Sequence, residues 1–557
     1  MTSPTFQPDS NPISEAIEKL RSCSQVNIQT SWRCWEAEPN VAAATQFDWL
    51  SCPVAQLNAK GQIAWSTGQR VLWLAQRLVI PQNLQGYPLA GFSLRLALTW
   101  WAKAAQVFVN GALVQEGDIF DNSTRVLLSK AVTSGEEITV ALRLVSPGHA
   151  DGALVRSLCL YEADYDQLDL GFVADELTVL QRYLETFEPE KLGPTAAAFA
   201  KVDWSVLPDR QKFEQSLFQV RSSLQVGVQS FAPLMKQRRI QLLGHAHLDL
   251  AWLWTVDETW EVAQRTFESV LKLQQEFPQL IFCHSTPALY AWIESHRPDL
   301  FAAIQQQVLA GHWEVVGGLW VEPDLNLING ESIVRQVFYA QRYVLEKFGN
   351  VSTVAWLPDS FGFSWTLPQI LKQGGIEYFV TQKLRWNDHT KFPYDAFWWR
   401  SPDGTQLFSL MSAPMGESID PLKMAEYACD WERQTGLLDA LWLPGVGDHG
   451  GGPTRDMLEI SQRWQQSPYF PRLEFSTAHS YLQHIEEWGS GRVGEWEKFT
   501  PSPPHPLTPS LPFLCGKMNF IWNFTGAVIQ LTPSRSVGIA FVKDCCTRQN
   551  SLRLWHL

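Results

Sequence analysis

The sequence predicts an α/β protein: a β/α barrel-like catalytic domain of seven mainly parallel strands, preceded by a β-sandwich domain and a helical connector. Three observations predict it. Short apolar runs, often alternating and split by Gly, Pro, Asn or Asp, dominate residues 1–164. Helical spacing takes over in residues 165–237. From 238 to 490 short apolar strands alternate with helical stretches, the pattern of a mainly parallel sheet or barrel. A chain of 557 residues is also too long for a single hydrophobic core.

The first domain opens with a helix. Then RVLWLAQRLVIP, FSLRLALTWW, AAQVFVNGALV, RVLLSKAV and EEITVALRLVSP read as short strands at sandwich spacing. Asn110-Gly111 marks a tight hairpin. No catalytic cluster lies here, so a packing role is expected ahead of a sugar-binding one. DELTVLQRYLETF and RQKFEQSLFQVRSSLQV place apolar residues at helical intervals and form the connector. In 238–490 the strand candidates are IQLLGHAHLD, LIFCHS, WEVVGGLW, TVAWLPD, YFVTQK, TQLFSLMS and DALWLPGVGD. PALYAWIESHRPDLFAAIQQQVLAG and GESIVRQVFYAQRYVLEKFG are the helical stretches between them. Ligands of such folds gather at the C-terminal ends of strands. Polar or aromatic residues fall there repeatedly.

Composition narrows the function. The chain is 45% hydrophobic and 18% charged, as expected of a soluble globular protein. Its 44 Lys+Arg against 57 Asp+Glu leave a net charge of −13, which argues against nucleic acid and against an anionic membrane surface. The N-terminus has neither the basic nor the apolar region of a secretory signal. No window approaches the roughly 20 apolar residues of a membrane span. Nine Cys without a CxxC fit reduced thiols in a cytoplasm. The 26 Trp tilt the reading slightly toward carbohydrate, whose apolar faces stack on indole.

Four segments could carry chemistry. In GHAHLDLAWLW (244–254), alternate residues of an extended chain share a face, so His245, His247 and Asp249 could point together and at least two could reach one cation. A short H-x-D is equally the polar end of an ordinary strand; the repeated polar tips favour the ligand reading. WLPDSFGFS presents Asp359 at the end of an apolar run as a ligand, nucleophile, base or mere turn cap. GVGDHGGGPTR surrounds Asp448 and His449 with glycines that permit close approach, without the spacing or lysine of a phosphate loop. GGLWVEPDLN offers Trp320 for stacking on a sugar and Glu322 or Asp324 for hydroxyls, or else a core Trp and a solvated turn.

Together these segments, with KLRWND, resemble glycoside hydrolase family 38, the class II α-mannosidases of the cytosolic and bacterial type, in family order across residues 165 to 488. The resemblance implies a retaining exo-α-mannosidase acting on an α-mannoside or oligomannose glycan. It implies one Zn²⁺ per chain, with Co²⁺ as a substitute, held by His247, Asp249 and Asp359. Asp359 is also the implied nucleophile, Trp252 packs against the sugar, and His245 stands behind the ligands. Asp448 is the acid/base candidate, with His449 beside it, and Trp320 is a further substrate-binding candidate. A cytoplasmic protein, free of nucleic acid and membrane partners and compatible with a homo-oligomer, is expected.

The resemblance stops after HIEEWGS. The family's fourth zinc ligand, a histidine in a segment like LYLELHRGTYT, is not found, and residues 491–557 read as an aberrant tail. Yet the codons of Phe513 to Thr532, read from their third base with permitted wobble choices, spell PVWEDELYLEFHRGCYTTH. VKDCCTRQN likewise permits EGLLYQAE. A frameshift upstream of about Phe513 is therefore expected, with weak or absent activity for the chain as written. Two other readings compete: a metal-dependent enzyme of the polysaccharide deacetylase type, and a carbohydrate-binding remnant without turnover.

Overall fold

The structure is a computed structural model that describes residues 12–35, 51–117, 122–148, 150–163, 167–227, 231–252, 254–386, 392–446, 450–490, 520–522 and 528–530. It is mixed α/β with several separate sheets. The chain divides into two units: Met1–His284 with Arg297–Glu314 and Ala413–Thr477, and Ser285–His296 with Val315–Ser412 and Ala478–Leu557.

In the first unit the alternating runs form two five-stranded antiparallel sheets. In one, Ser93–Trp101 lies between Gly152–Glu162 and Ser123–Ser129. In the other, Glu137–Val145 lies between Val71–Val79 and Ala104–Val109. Alternation sorts side chains by face. Leu94, Leu96, Leu98 and Trp100 are buried on one sheet, and Leu72, Leu74, Val140, Leu142 and Leu144 on the other. Each aliphatic side chain so removed from water contributes about 1.5–3 kcal/mol. Asn110 and Gly111 turn the predicted hairpin with positive φ of 48° and 81°, the geometry that Asn-Gly suits.

Helices Leu170–Phe187 and Arg210–Gly227 realise the two predicted connector helices, with Leu192–Phe199 between them. The Asp169 side chain caps the first helix by accepting from the Phe172 N–H. Its carboxylate also pairs with Arg463 at 2.7 Å, while Arg125 holds Asp456 at 2.9 Å. These pairs tie the strand Ser123–Ser129 and the start of helix Leu170–Phe187 to helix Arg455–Gln465 within the unit.

All seven predicted strand runs carry strands. In the first unit, Arg239–Leu242 pairs in parallel with Asp439–Trp442 and Arg472–Phe475. Gly244–His245 pairs in parallel with Phe282–His284, in a sheet completed by Trp313–Val315. In the second unit, Val354–Trp356, Tyr378–Thr381 and Gln406–Met411 are parallel, with Ala396–Arg400 antiparallel at the edge. Arg472–Phe475 and Ala396–Arg400 are additional to the predicted seven. One predicted helical stretch is two helices, Pro287–His296 and Pro298–Leu309. Pro298 lacks an N–H and drives Arg297 out of helical backbone. Among the described residues no helix is long and apolar enough to cross a membrane. Of the tail, only the antiparallel pair Phe520–Trp522 and Val528–Gln530 lies among the described residues.

Candidate functional site

The first tip belongs to the first unit. The strand Gly244–His245 stops at His245, so one uninterrupted extended face for His245, His247 and Asp249 does not form. His245 is 2% exposed. Burial, with His284 and His247 nearby, holds its imidazole well below the usual histidine range, so it stays neutral. A side chain on Gly445 would collide with the His245 carbonyl, which explains the glycine there. His247 is buried too, and its Nε2 lies 3.2 Å from Oδ1 of the part-exposed Asp249. Helix Val256–Glu276 begins just beyond, fixed by a capping box between Thr255 and Glu258. Its Thr259 hydroxyl reaches the Asp249 carbonyl at 3.3 Å and accepts the Ala251 N–H at 3.1 Å. Trp252 projects from this turn, 55% exposed and edge-on to Trp254 at 5.6 Å.

Asp448 and His449 lie outside the described residues. The flanks of their loop are described, and they account for the glycines. Gly450, Gly451 and Gly452 have φ of 79°, 104° and 63°. A Cβ on Gly450 would sit 2.5 Å from Val262 Cγ1 and 2.8 Å from Thr266 Oγ1. The Gly450 N–H donates to the His247 carbonyl at 2.7 Å, and the Gly451 N–H to Thr266 Oγ1 at 2.9 Å. The glycine loop is thereby anchored on the histidine tip.

The second tip belongs to the second unit. In WLPDSFGFS, Leu357 and Phe363 both enter one apolar core, with Leu319, Ile376 and Phe379. Phe363 meets Phe379 edge-on at 5.0 Å. These anchors leave Pro358 to Gly362 as a rim between them. Oε1 of Glu322 accepts the N–H of Asp359 and the N–H of Ser360, each at 2.7 Å, and the Ser360 hydroxyl at 3.2 Å. The side chain of Asp359 is ion-paired with Lys383. Glu322 thus grips the main chain under Asp359, an arrangement that spacing alone did not suggest. The Asp324 carboxylate closes a local turn by accepting the Asn326 N–H at 3.1 Å.

Trp320 sits on a neighbouring surface of the same unit. Its N–H donates to the Gln336 carbonyl at 3.1 Å, and its ring meets Tyr343 edge-on at 5.6 Å. With Tyr339, Arg342 and Glu346 these rings line a shallow cavity. Gly317 and Gly318 just before it need their glycines. Both have positive φ, and a side chain on Gly318 would collide with Ile376.

Parallel strands end in polar tips, one of which brings the His247 imidazole and the Asp249 carboxylate together, and these features define an α/β chain with metal-ligating side chain types at its strand ends. The comparisons are narrower. Residues 237–499 match the family model "Glycosyl hydrolases family 38 N-terminal domain". Alpha-mannosidase G of Dictyostelium discoideum is 34% identical over 262 residues, 47% of this chain and 24% of that protein. Human alpha-mannosidase 2C1 is 37% identical over 254 residues, 45% and 24% respectively. The match thus spans about a quarter of these relatives. A crystal structure of an alpha-mannosidase from Enterococcus faecalis V583 aligns at 21% identity with a TM-score of 0.39, over 45% of this chain and 29% of that one.

Proposed function

We propose that the sequence encodes a retaining exo-α-mannosidase whose metal ligands are His247, Asp249 and Asp359, with Asp359 also the nucleophile. The family match over residues 237–499 carries this reading, because all three residues fall inside it. A zinc ion in that donor set, or cobalt in its place, would supply a Lewis acid for the vicinal hydroxyls of mannose. The protein's own groups do the rest. The Asp359 carboxylate attacks the anomeric carbon as the bond to the leaving oxygen breaks. Asp448 gives that oxygen its proton. Asp448 then takes a proton from water, which displaces Asp359 and releases mannose with its configuration retained. The anchoring of Gly450, two residues after Asp448 in sequence, on the His247 carbonyl supports the acid/base role. The exposed Trp252 forms the wall against the sugar. Trp320, on its own cavity, is assigned to a more remote part of the glycan.

The same reading takes residues 1–164 as a sandwich domain, 165–237 as a connector and 238–490 as a seven-stranded barrel-like catalytic domain. It places the protein in the cytoplasm. With the family's fourth ligand missing from the frame, turnover by the chain as written is weak or absent. The test is nitrophenol release from 4-nitrophenyl α-mannoside, with Zn²⁺ or Co²⁺ added, by this chain and by a frame-restored one. Turnover by the restored protein supports the reading. Acetate release from an acetylated sugar, with no nitrophenol, would put the deacetylase type in its place. Mannoside binding without turnover in both chains would leave a binding remnant.

A further inference from the structure

We propose that Lys383 is a positioning residue for Asp359. It holds one carboxylate oxygen and so fixes which oxygen Asp359 presents to a metal or a sugar. Strand register puts the two together. Trp356 is paired with Val380 across two parallel strands, and the Leu357 N–H still donates to the Val380 carbonyl at 2.9 Å. Three residues beyond that pair on each strand come Asp359 and Lys383. The adjacent tips therefore emerge side by side with opposite charges, and the Lys383 ammonium pairs with Asp359 Oδ1.

The lysine itself is built in. Its side chain is 5% exposed, against 23% for Asp359. The ammonium lies 3.4 Å from the ring centroid of Trp386 and 4.6 Å from that of Phe361. Two aromatic faces and a carboxylate thus surround a cation that burial would otherwise penalise. A surface lysine would swing freely; this one has a fixed place. Glu322 fixes the main chain of Asp359, and Lys383 fixes its side chain. The two constraints are independent, and together they set both the height and the rotation of the carboxylate.

This role has a cost. The ammonium competes with a divalent ion for the same carboxylate and repels it. Lys383 therefore gives up metal affinity in return for a defined carboxylate. That consequence rests on Asp359 being a metal ligand; the pairing does not.

The experiment has two readouts on the full chain. The first is thermal unfolding of Lys383→Met, Asp359→Asn and the double variant. Asp359→Asn alone strands a buried ammonium, so adding Lys383→Met should raise the melting temperature of Asp359→Asn. Losses that simply add would overturn the pairing. The second is Co²⁺ titration by calorimetry. Lys383→Met should bind Co²⁺ three- to tenfold more tightly than the unmodified chain, and Lys383→Arg within twofold of it. Unchanged or weaker binding by Lys383→Met would overturn the positioning role. If the unmodified chain binds no Co²⁺, the metal reading fails, and the unfolding cycle alone decides the Lys383–Asp359 pair.

Discussion

Glu322 holds Asp359 by its main chain: one carboxylate oxygen accepts the N–H groups of Asp359 and Ser360, each at 2.7 Å. An anion that accepts two N–H donors and a hydroxyl stiffens the turn that presents the nucleophile candidate. Hydrogen bonds to a charged acceptor contribute about 1.5–3 kcal/mol. In a frame-restored, active protein, Glu322→Ala is expected to lower kcat by about ten- to a hundredfold with little change in KM. Glu322→Gln keeps an acceptor and should lose less. Steady-state kinetics on 4-nitrophenyl α-mannoside read this out. A kcat unchanged in Glu322→Ala would remove the anchoring role.

The glycine loop gives a second expectation. Gly436 and Gly450 both have positive φ, 72° and 79°. A Cβ on Gly436 meets open space, whereas one on Gly450 runs into Val262 and Thr266. Gly436→Ala should cost about 1 kcal/mol from backbone strain alone. Gly450→Ala should cost more and lower the melting temperature further. Equal shifts for the two variants in thermal unfolding would show that the loop does not sit on the helix as described.

A third concerns pH. Glu176 is buried in helix Leu170–Phe187 and pairs with Arg221 at 2.5 Å. Burial raises its pKa above the usual value, and the Arg221 charge only partly opposes this. The folded state then holds the proton to higher pH than the unfolded state does. This contribution to stability is fully present below the unfolded pKa of about 4.3 and is lost as pH rises through the folded pKa. Relative to Glu176→Gln, the unmodified chain should therefore lose melting temperature as pH rises from about 4.5 upward. A difference that stays flat, or changes with the opposite sign, would contradict the raised pKa.

The reading frame gives a fourth. Genomic DNA through the codons of Phe513 to Asn550 should spell PVWEDELYLEFHRGCYTTH and EGLLYQAE in the frame that starts at third bases. Codons that do not spell them, in an intact frame, would end the frameshift account.

How much of this was legible in the sequence depends on which force fixed each part. Periodicity revealed the strands because face-by-face burial is a local pattern; Leu142 and Leu144 report their side of the sheet wherever the partner strand lies. The Asn110-Gly111 turn was equally local. The motifs announced the strand tips, since His247, Asp249 and Asp359 sit in long signatures. Lys383 carries no role in those signatures, and Glu322, expected to meet sugar hydroxyls, instead holds the main chain at Asp359 and Ser360. Lys383 meets Asp359 only through the register of two strands, and Glu322 reaches across 37 residues to its partner. A lysine two residues past the end of an apolar strand, followed by Trp386, was the available signal. His245 misled the face argument because the strand stops at His245, two residues before His247, and alternation cannot show that.

The most direct test of the central claim is metal stoichiometry in this chain and in His247→Ala, Asp249→Ala and Asp359→Ala, each first shown by circular dichroism to be folded. After dialysis against Co²⁺ and removal of free ion, elemental analysis counts the bound metal. One ion in the unmodified chain, and loss of that ion in all three variants, is the predicted result. An ion retained in full by the folded Asp359→Ala variant would contradict the assignment of Asp359 as a ligand shared with the histidine tip.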